Sequence, residues 1–166
     1  MDYKKINRRN FIKQSALASA SFAFTSSKIS ASTKKVSNLR LGVIGTGLRG
    51  QWMTSLCLLR NDVDIKAICD IDPEMINKTL SIIKKGGGKP PDVYKNGQHD
   101  FLNLVQRDDL DAVYIATPWE WHHPMSVAAM KQGKHVGVEC PAALKIKDLW
   151  DLVNVSEKEE KHCMLM

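Results

Sequence analysis

The pattern of hydrophobic and polar positions alternates between short apolar runs and amphipathic segments from residue 39 onwards. Runs rich in Val, Ile, Leu and Tyr predict six strands, at residues 39–45, 63–70, 93–96, 111–118, 134–140 and 161–166. Apolar residues at helical spacing predict the helices between them, at residues 49–60, 73–85, 100–107, 124–132 and 145–158. Strands that alternate with helices in this way predict an α/β fold with a doubly wound parallel sheet.

Capping and stop signals support several of the predicted element ends. Asp72 before Pro73 predicts a side-chain cap followed by a first helical residue. Gly133 predicts the end of the fourth helix. Helical spacing also places three large apolar residues of the first helix on one face: Trp52, Leu56 and Leu59.

The charge of the chain is concentrated at its N-terminal end. The formal net charge is +6, from 24 Lys and Arg against 18 Asp and Glu. Residues 1–35 carry a net of +7, because Asp2 is their only acidic residue, and this leaves −1 for the remainder. A nearly neutral body argues against a basic face that binds nucleic acid, so we expect no such partner.

Residues 1–31 have the pattern of an export leader. Arg8-Arg9 is followed by Phe11 and then by a short apolar run, residues 16–24, rich in Ala and Ser. This order resembles a twin-arginine signal peptide, and the run is too short to span a bilayer. We expect cleavage after residue 31, a polar linker over residues 32–38 and export to the periplasm. The alternative is a basic tail without structure.

The cysteines predict neither a disulfide nor a metal site. No two of the four form a C-x-x-C pair. Cys69 and Cys163 fall in predicted central strands, where a free buried thiol is the commoner state. We therefore expect Cys57, Cys69, Cys140 and Cys163 to be free, and no metal ion to be bound.

A glycine-rich turn, Gly45-Thr46-Gly47-Leu48-Arg49-Gly50, joins the first predicted strand to the first helix, and Asp70 ends the second strand 20 residues later. Glycines in this order permit a tight turn, close approach of a pyrophosphate and close packing of helix on strand. The helix N-terminus then offers N–H groups to the phosphates, while Asp70 accepts hydrogen bonds from the adenosine ribose. Since a carboxylate repels a 2′-phosphate, the pattern predicts NAD rather than NADP. The alternative is a structural turn with a solvated Asp70.

Two tryptophans, a glutamate and two histidines follow the fourth predicted strand, in the run Trp119-Glu120-Trp121-His122-His123. The run lies between Pro118 and Pro124, which predicts a loop at the carboxyl edge of the sheet. Ligands of such sheets bind beyond that edge, so we expect indole, imidazole and carboxylate groups to line the dinucleotide. Three alternatives stay open: core tryptophans, a metal site at Glu120 and the histidines, and a solvated loop with exposed indoles.

Three segments together resemble the Gfo/Idh/MocA oxidoreductases. They are the glycine turn, the strand Asp-Ala-Val-Tyr-Ile-Ala-Thr-Pro with a histidine shortly after it, and Glu139-Cys140-Pro141 after the fifth strand. The resemblance implies a Rossmann NAD-binding domain followed by a second α/β domain that carries much of the sugar site. We expect residues 39–166 to be that Rossmann domain, truncated at its C-terminal end, with the second domain absent from this chain.

Two departures from the usual pattern of that family resemble glycoside hydrolase family 109. The strand is followed by Trp-Glu-Trp-His, and Glu139-Cys140-Pro141 replaces the usual Glu-Lys-Pro. This resemblance covers nearly everything from about residue 39 to residue 166. It implies NAD contacts at nine positions: Leu48, Arg49, Asp70, Trp119, Glu120, Trp121, His122, Glu139 and Cys140. Cys140 is itself a mild departure, because the usual residue there is small and aliphatic.

The resemblance also implies an activity, the removal of terminal α-N-acetylgalactosamine from glycans with NAD used catalytically. In that chemistry C3 of the sugar is transiently oxidised, the group on C1 is eliminated, water adds and the ketone is reduced again. The catalytic acid and base are left unassigned, since they are expected largely in the second domain. A homo-oligomer formed through that domain is a further expectation.

Two other functions stay open. In the dehydrogenases of the family, the lysine of Glu-Lys-Pro is thought to help proton transfer, and Cys140 supplies no cation in its place. A net dehydrogenase is therefore less favoured, and an exported NAD(P)-dependent sugar oxidoreductase is the nearer alternative. The other is a non-catalytic NAD-binding module, which a stop codon directly after residue 166 favours and a continuing reading frame does not.

Overall fold

The computed structural model describes residues 37–166 as six strands and five helices in alternation. The strands are β1 (Leu39–Ile44), β2 (Val63–Cys69), β3 (Asp92–Tyr94), β4 (Ala112–Ile115), β5 (His135–Val138) and β6 (Cys163–Leu165). The helices are α1 (Leu48–Leu58), α2 (Pro73–Lys85), α3 (Phe101–Val105), α4 (Trp119–Lys131) and α5 (Ile146–Glu159). The predicted leader and most of the predicted linker lie outside the described residues.

The six strands form one parallel sheet in the order β3-β2-β1-β4-β5-β6. The chain first builds outwards from β1 through β2 and β3, then crosses back to lay β4, β5 and β6 on the other side. This reversal puts a switch point between β1 and β4, where Ile44 pairs with Ile115. The predicted doubly wound parallel sheet is confirmed.

Helices cover both faces of the sheet, because strand side chains alternate between two apolar clusters. Val43 of β1 packs in the cluster that contains Cys57 of α1 and Ile76 of α2. Its neighbour Ile44 packs in the other cluster, which α3, α4 and α5 complete with residues such as Met130. Burial on both faces explains why the central strands read as nearly continuous apolar runs.

The structure confirms the capping and stop signals. The Asp72 carboxylate accepts a hydrogen bond from the Glu74 N–H at 2.8 Å, and α2 begins at Pro73 as predicted. Gly133 follows α4 with a φ of 74°, a conformation that favours glycine. None of the helices within residues 37–166 has the length and apolar character needed to cross a membrane.

The loop predicted between Pro118 and Pro124 is wrong, because α4 begins at Trp119. Pro118 takes the position before the helix, and its carbonyl accepts the Trp121 N–H at 2.9 Å. Proline predicts a break from local sequence alone, but here buried contacts of Trp121 and His122 hold the first turn in place. The five residues assigned to a loop therefore form the N-terminal turns of a helix, with Pro124 inside it.

One further prediction about packing is wrong, the central position of Cys163. The large apolar residues of α1 that share one face point outwards, with Trp52 49% and Leu59 84% exposed, while the helix packs on the sheet through Gly50, Thr54 and Cys57. Small residues on that face let the helix approach the sheet closely. Cys163 lies in β6, which is an edge strand rather than a central one, and is only partly buried.

Candidate functional site

The carboxyl ends of β1, β2 and β4 meet around a cavity of about 590 Å³ at the switch point. This volume lies within the range of roughly 300–1,000 Å³ that is typical of small-molecule sites. Of the nine predicted cofactor contacts, five line the cavity: Leu48, Arg49, Asp70, Glu120 and Trp121. The cavity is therefore where the sequence pattern places a dinucleotide, although four predicted residues lie outside its lining.

The glycines of the turn have different steric roles. Gly45 has a φ of 89°, and a Cβ there would lie 2.6 Å from the Ala116 carbonyl oxygen. A Cβ on Gly50 would lie 2.0 Å from the Gly45 carbonyl oxygen. A Cβ on Gly47, in contrast, would meet no atom within 4 Å. Two glycines are thus required by the fold itself, whereas Gly47 leaves space that a phosphate group can approach.

The N-terminus of α1 is open towards this space. Gly47 occupies the N-cap position, no side chain caps the helix, and its first turn contains no acidic residue. The backbone N–H groups of this turn and the positive end of the helix dipole therefore favour an anion. With the gap beside Gly47, this geometry fits the pyrophosphate of a dinucleotide.

Asp70 stands at the end of β2, but its carboxylate already has partners. Its Oδ2 accepts the Thr46 N–H at 2.5 Å and the Thr46 hydroxyl at 2.9 Å, and its Oδ1 accepts the Asp72 N–H at 3.0 Å. A carboxylate has about four acceptor positions, so Oδ1 retains capacity for a ribose hydroxyl. Asp70 thus ties the glycine turn to β2 and also faces the cavity.

The first two turns of α4 divide between cavity and interior. Glu120 and Trp121 line the cavity, and Trp121 packs edge-on against His99 and Phe101, with ring centres 5.6 and 6.1 Å apart. Trp119 is 60% exposed and is not part of the lining. Of the two indoles predicted to line the cavity, only that of Trp121 does so, since helical residues two positions apart point in different directions.

His122 is buried, with 1% of its surface exposed, and lies outside the cavity lining. Its Nδ1 lies 2.7 Å from the Pro141 carbonyl oxygen and its Nε2 lies 2.8 Å from the Thr117 carbonyl oxygen. A carbonyl only accepts hydrogen bonds, so the ring donates to a carbonyl through whichever nitrogen carries a proton. His122 therefore links the segments that follow β4 and β5, and its role as an NAD contact stays a prediction.

Glu139 follows β5 and is held by two donors. The Tyr114 hydroxyl and Arg49 both donate to its Oε1, and the Arg49 Nη2 lies 2.7 Å away. Burial raises the pKa of Glu139, but these hydrogen bonds outweigh it and hold the pKa below its ordinary value. Burial and the neighbouring carboxylate raise the pKa of Tyr114. Cys140 beside it is exposed, and its thiol contacts the Met166 carbonyl at 3.5 Å.

Four residues of the site were not singled out from the sequence: Thr46, Gly97, Gln98 and Tyr114. Thr46 is fully buried and joins the turn to Asp70, while Gly97 and Gln98 line the cavity from the segment after β3. Position after a strand was a usable signal for Gly97 and Gln98, because all parallel strands end at the same edge. For Tyr114, the only signal was a hydroxyl within an otherwise apolar strand.

The described cysteines are all free: Cys57, Cys69, Cys140 and Cys163. In the part of the chain that the structure describes, no three His, Cys, Asp or Glu side chains are grouped as a metal site requires. His123 instead lies 2.8 Å from Asp151 of α5 and links the two helices. Glu120 and the histidines thus do not converge.

An open parallel sheet, a glycine turn before an uncapped helix and an acidic residue after β2 define a Rossmann nucleotide-binding domain. Family comparison gives the same answer, because the family described as "Oxidoreductase family, NAD-binding Rossmann fold", Gfo/Idh/MocA, matches residues 39–166. The chain belongs to this family. Its cofactor is NAD.

Curated relatives narrow the similarity. The chain is 47% identical over 126 residues to a "Glycosyl hydrolase family 109 protein" of Saccharopolyspora erythraea, covering 76% of this chain and 28% of that protein. It is 40% identical over 168 residues to a protein of the same name from Solibacter usitatus, covering 96% of this chain and 38% of that protein. The chain therefore spans well under half of the curated relatives that it matches.

Solved structures share the fold. A scyllo-inositol dehydrogenase from Lactobacillus casei, with bound NAD(H) and scyllo-inositol, has a TM-score of 0.65 at 23% identity, covering 77% of this chain and 36% of that one. An NAD-binding protein from Listeria innocua has a TM-score of 0.64 at 26% identity, covering 77% of this chain and 35% of that one. These similarities support the architecture described above.

Proposed function

We propose that this chain is the cofactor-binding part of an NAD-dependent glycoside hydrolase that removes terminal α-N-acetylgalactosamine from glycans. The observation that carries the proposal is its 47% identity to a protein named as a member of glycosyl hydrolase family 109. This identity extends over 126 residues, which is 76% of the chain. The substrate and the reaction belong to the whole protein, of which the chain spans a part.

Residues around the cavity can be assigned to each part of the cofactor. The uncapped turn at Gly47 would hold the pyrophosphate, and Asp70 would accept a hydroxyl of the adenosine ribose. Glu120 and Trp121 would face the other half of the dinucleotide, beyond β4. When bound, NAD supplies reversible hydride transfer with C3 of the sugar. The chain's own residues would orient the cofactor for this transfer.

Cys140 supports a hydrolase over a net dehydrogenase. In the dehydrogenases of this family a lysine at this position lies beside the reacting hydroxyl, and a thiol provides neither its charge nor its three donors. Oxidation at C3 releases the hydroxyl proton in either reaction, so both need a base, and the absence of the lysine separates this chain from the usual dehydrogenase pattern. The Cys140 position thus accords with hydrolysis.

An assay of the protein encoded by the complete reading frame tests the proposal. The probe is p-nitrophenyl α-N-acetylgalactosaminide, offered to the protein before and after removal of bound NAD. We expect p-nitrophenol release that is lost without NAD and restored by adding it, with no accumulation of NADH. Release that is unaffected by removing NAD contradicts the proposal.

The alternative is an exported NAD(P)-dependent sugar oxidoreductase, which the description of the matching family as oxidoreductases favours. The same assay separates the two functions. An oxidoreductase accumulates NADH from a sugar hydroxyl without releasing p-nitrophenol. A non-catalytic NAD-binding module does neither.

We also propose that the protein is exported by the twin-arginine route to the periplasm. Arg8-Arg9 and the short apolar run after them support this proposal. Because that route carries folded proteins, it suits a protein that takes up its cofactor before export. Replacing both Arg8 and Arg9 with Lys should retain the precursor in the cytoplasm, as measured by cell fractionation. Unchanged export of this double variant rules out the proposal.

A further inference from the structure

A buried tyrosine hydroxyl lies close to the carboxyl ends of the strands, where the candidate cofactor site is. Tyr114 of β4 is 3% exposed, and its ring packs in the apolar cluster that α1 and α2 complete. A phenol in such surroundings needs a hydrogen-bond partner, and the partner here is the carboxylate of Glu139. Within an apolar strand, phenylalanine would fill this space without requiring a partner. The hydroxyl therefore has a role that packing does not explain.

Strand register aims the two side chains at each other. Tyr114 pairs with Gly137 of β5, and Glu139 lies two residues further along the chain. Because side chains alternate between the faces of a sheet, Glu139 points to the same face as Tyr114. A Cβ on Gly137 would lie 3.7 Å from the Tyr114 ring, an ordinary van der Waals contact, so this position of β5 lies directly against the ring.

Arg49 approaches the same carboxylate from the first turn of α1. Its Nη2 donates to Glu139 Oε1 at 2.7 Å, and its guanidinium lies 4.7 Å from the centre of the Trp52 ring. Tyr114 donates to Oε1 as well. Among residues 37–166, neither donor contacts Oε2, and no other hydrogen bond to it is formed. One oxygen of Glu139 is thus fixed and the other is left to accept.

We propose that Tyr114 is a positioning residue, which with Arg49 fixes Glu139 so that Oε2 accepts a hydroxyl of the ribose next to nicotinamide. The inference rests on the proposed cofactor role of Glu139 and extends it to a residue inside the sheet. Tyr114 itself does not touch the cofactor. It acts through the orientation and charge of Glu139.

The order of features along the sheet edge assigns this ribose rather than the other. Asp70 follows β2, on one side of the glycine turn, and Glu139 follows β5, on the opposite side. A dinucleotide whose pyrophosphate lies at the N-terminus of α1 extends from one side to the other. With the adenosine ribose at Asp70, the ribose beside nicotinamide falls on the side of β4 and β5.

Charge around Glu139 supports the same role. Its carboxylate is faced by Arg49 from α1, Tyr114 from β4 and His122 from α4, with Cys140 next in the chain. Burial raises the pKa of Glu139, and the hydrogen bonds from Tyr114 and Arg49 lower it further than burial raises it. Removing the Tyr114 hydroxyl should therefore let Glu139 become protonated at a higher pH, and a protonated carboxyl is a poorer acceptor.

Calorimetric titration of the chain with NAD, ADP-ribose and ADP tests the proposal. ADP-ribose retains the second ribose, whereas ADP lacks it. Tyr114→Phe should weaken NAD and ADP-ribose about three- to tenfold, the effect of one hydrogen bond, and leave ADP within about twofold. Tyr94→Phe is the matched control, because its hydroxyl accepts a hydrogen bond from the Arg107 Nη1 at 3.2 Å, away from the cavity, and no affinity should change.

The pH dependence distinguishes positioning from packing. As pH falls, NAD affinity of Tyr114→Phe should begin to decline at a higher pH than that of the unaltered chain. Glu139→Gln should weaken ADP-ribose but not ADP, and adding Tyr114→Phe to it should cause no further loss. This second variant keeps the test decisive if Tyr114→Phe folds poorly.

Three results overturn the proposal: equal weakening of ADP and ADP-ribose, an unchanged pH profile, or additive losses in the double variant. Failure of the inference is distinguishable from failure of the proposed function. NAD binding with no effect at Tyr114 removes only the inference. If the full-length protein shows no glycosidase activity but the Tyr114 effects on binding are observed, only the proposed function fails. Absence of NAD binding by the unaltered chain overturns both.

Discussion

At the scale of single residues, the Asp70 carboxylate both holds the glycine turn and faces the cavity. Its Oδ2 holds the glycine turn through Thr46, while its Oδ1 bonds to the Asp72 N–H and still faces the cavity. If Asp70 also sets the preference for NAD over NADP, as predicted, that preference and the geometry of the turn are coupled at this position. A substitution there alters both, so each effect needs its own measurement.

Asp70→Ala should weaken NAD binding about tenfold and narrow the preference for NAD over NADP, because the charge that repels a 2′-phosphate is gone. The measurement is the affinity for each cofactor, with the melting temperature recorded in parallel. Asp72→Ala is the control, since this neighbouring carboxylate caps α2 through Glu74 and Met75. It should cost about 1 kcal/mol of stability and leave the preference intact. Equal affinities of the unaltered chain for NAD and NADP contradict the assignment of Asp70.

His122→Ala should destabilise the domain, because it removes the polar contacts of the ring with the Thr117 and Pro141 carbonyls and leaves a cavity beside α4. We expect the free energy of unfolding without cofactor to fall by about 2–4 kcal/mol, as measured by chemical denaturation. Trp119→Ala is the control on the same helical turn and should change stability by no more than about 0.5 kcal/mol, since Trp119 is largely exposed. Similar stabilities of the two variants contradict the described role of His122.

At the scale of elements, the glycine turn and α1 form the part of the site that the backbone itself builds. Gly50 permits close contact between helix and strand, and Gly47 leaves space in front of the helix N-terminus. Two glycines three residues apart thus serve folding and binding separately. The difference can be tested with the same substitution at both positions.

Gly47→Ala should fold normally but bind NAD at least tenfold more weakly, because its methyl group enters only the open space where the pyrophosphate is proposed to lie. Gly50→Ala should instead disturb folding, since its Cβ would lie 2.0 Å from the Gly45 carbonyl oxygen. We expect several kcal/mol of lost stability for Gly50→Ala, by chemical denaturation. If Gly47→Ala binds NAD as tightly as the unaltered chain, the pyrophosphate does not lie at this turn.

Strand prediction succeeded because the central strands are buried on both faces. Continuous runs such as Val113 to Ile115 are hard to place anywhere else, and Asp72-Pro73 marks a helix start through local chemistry alone. The start of α4 was missed because contacts distant in sequence decide it. His122 depends on Pro141, 19 residues away, and no local pattern contains that information.

The residues of the candidate site were also predictable only where local sequence marks them. Residues adjacent to strand ends, such as Asp70 and Glu120, reach the cavity because parallel topology puts those ends together. Tyr114 was missed because its role arises from register between β4 and β5, which a sequence leaves undetermined. The buried face of α1 was not predicted, because small residues, rather than its Trp and Leu, approach the sheet.

At the scale of the whole molecule, the chain supplies the cofactor half of a proposed two-part site. It spans 28% of the Saccharopolyspora erythraea relative and 38% of the Solibacter usitatus relative. Residues that transfer protons to the sugar are therefore sought in the remainder of the full-length protein. Under the proposed function, oxidation of C3 to a ketone by the bound NAD would make the neighbouring C2 proton acidic.

Hydrolysis of an α-N-acetylgalactosaminide in deuterated water tests the central claim most directly. The full-length protein is incubated with the p-nitrophenyl glycoside and NAD, and the released sugar is examined by NMR. Elimination followed by addition of water exchanges the C2 proton with solvent, so the account predicts deuterium at C2 of the released sugar and no accumulation of NADH. Release of sugar that retains its original C2 proton would contradict the account, because direct displacement at C1 leaves C2 untouched.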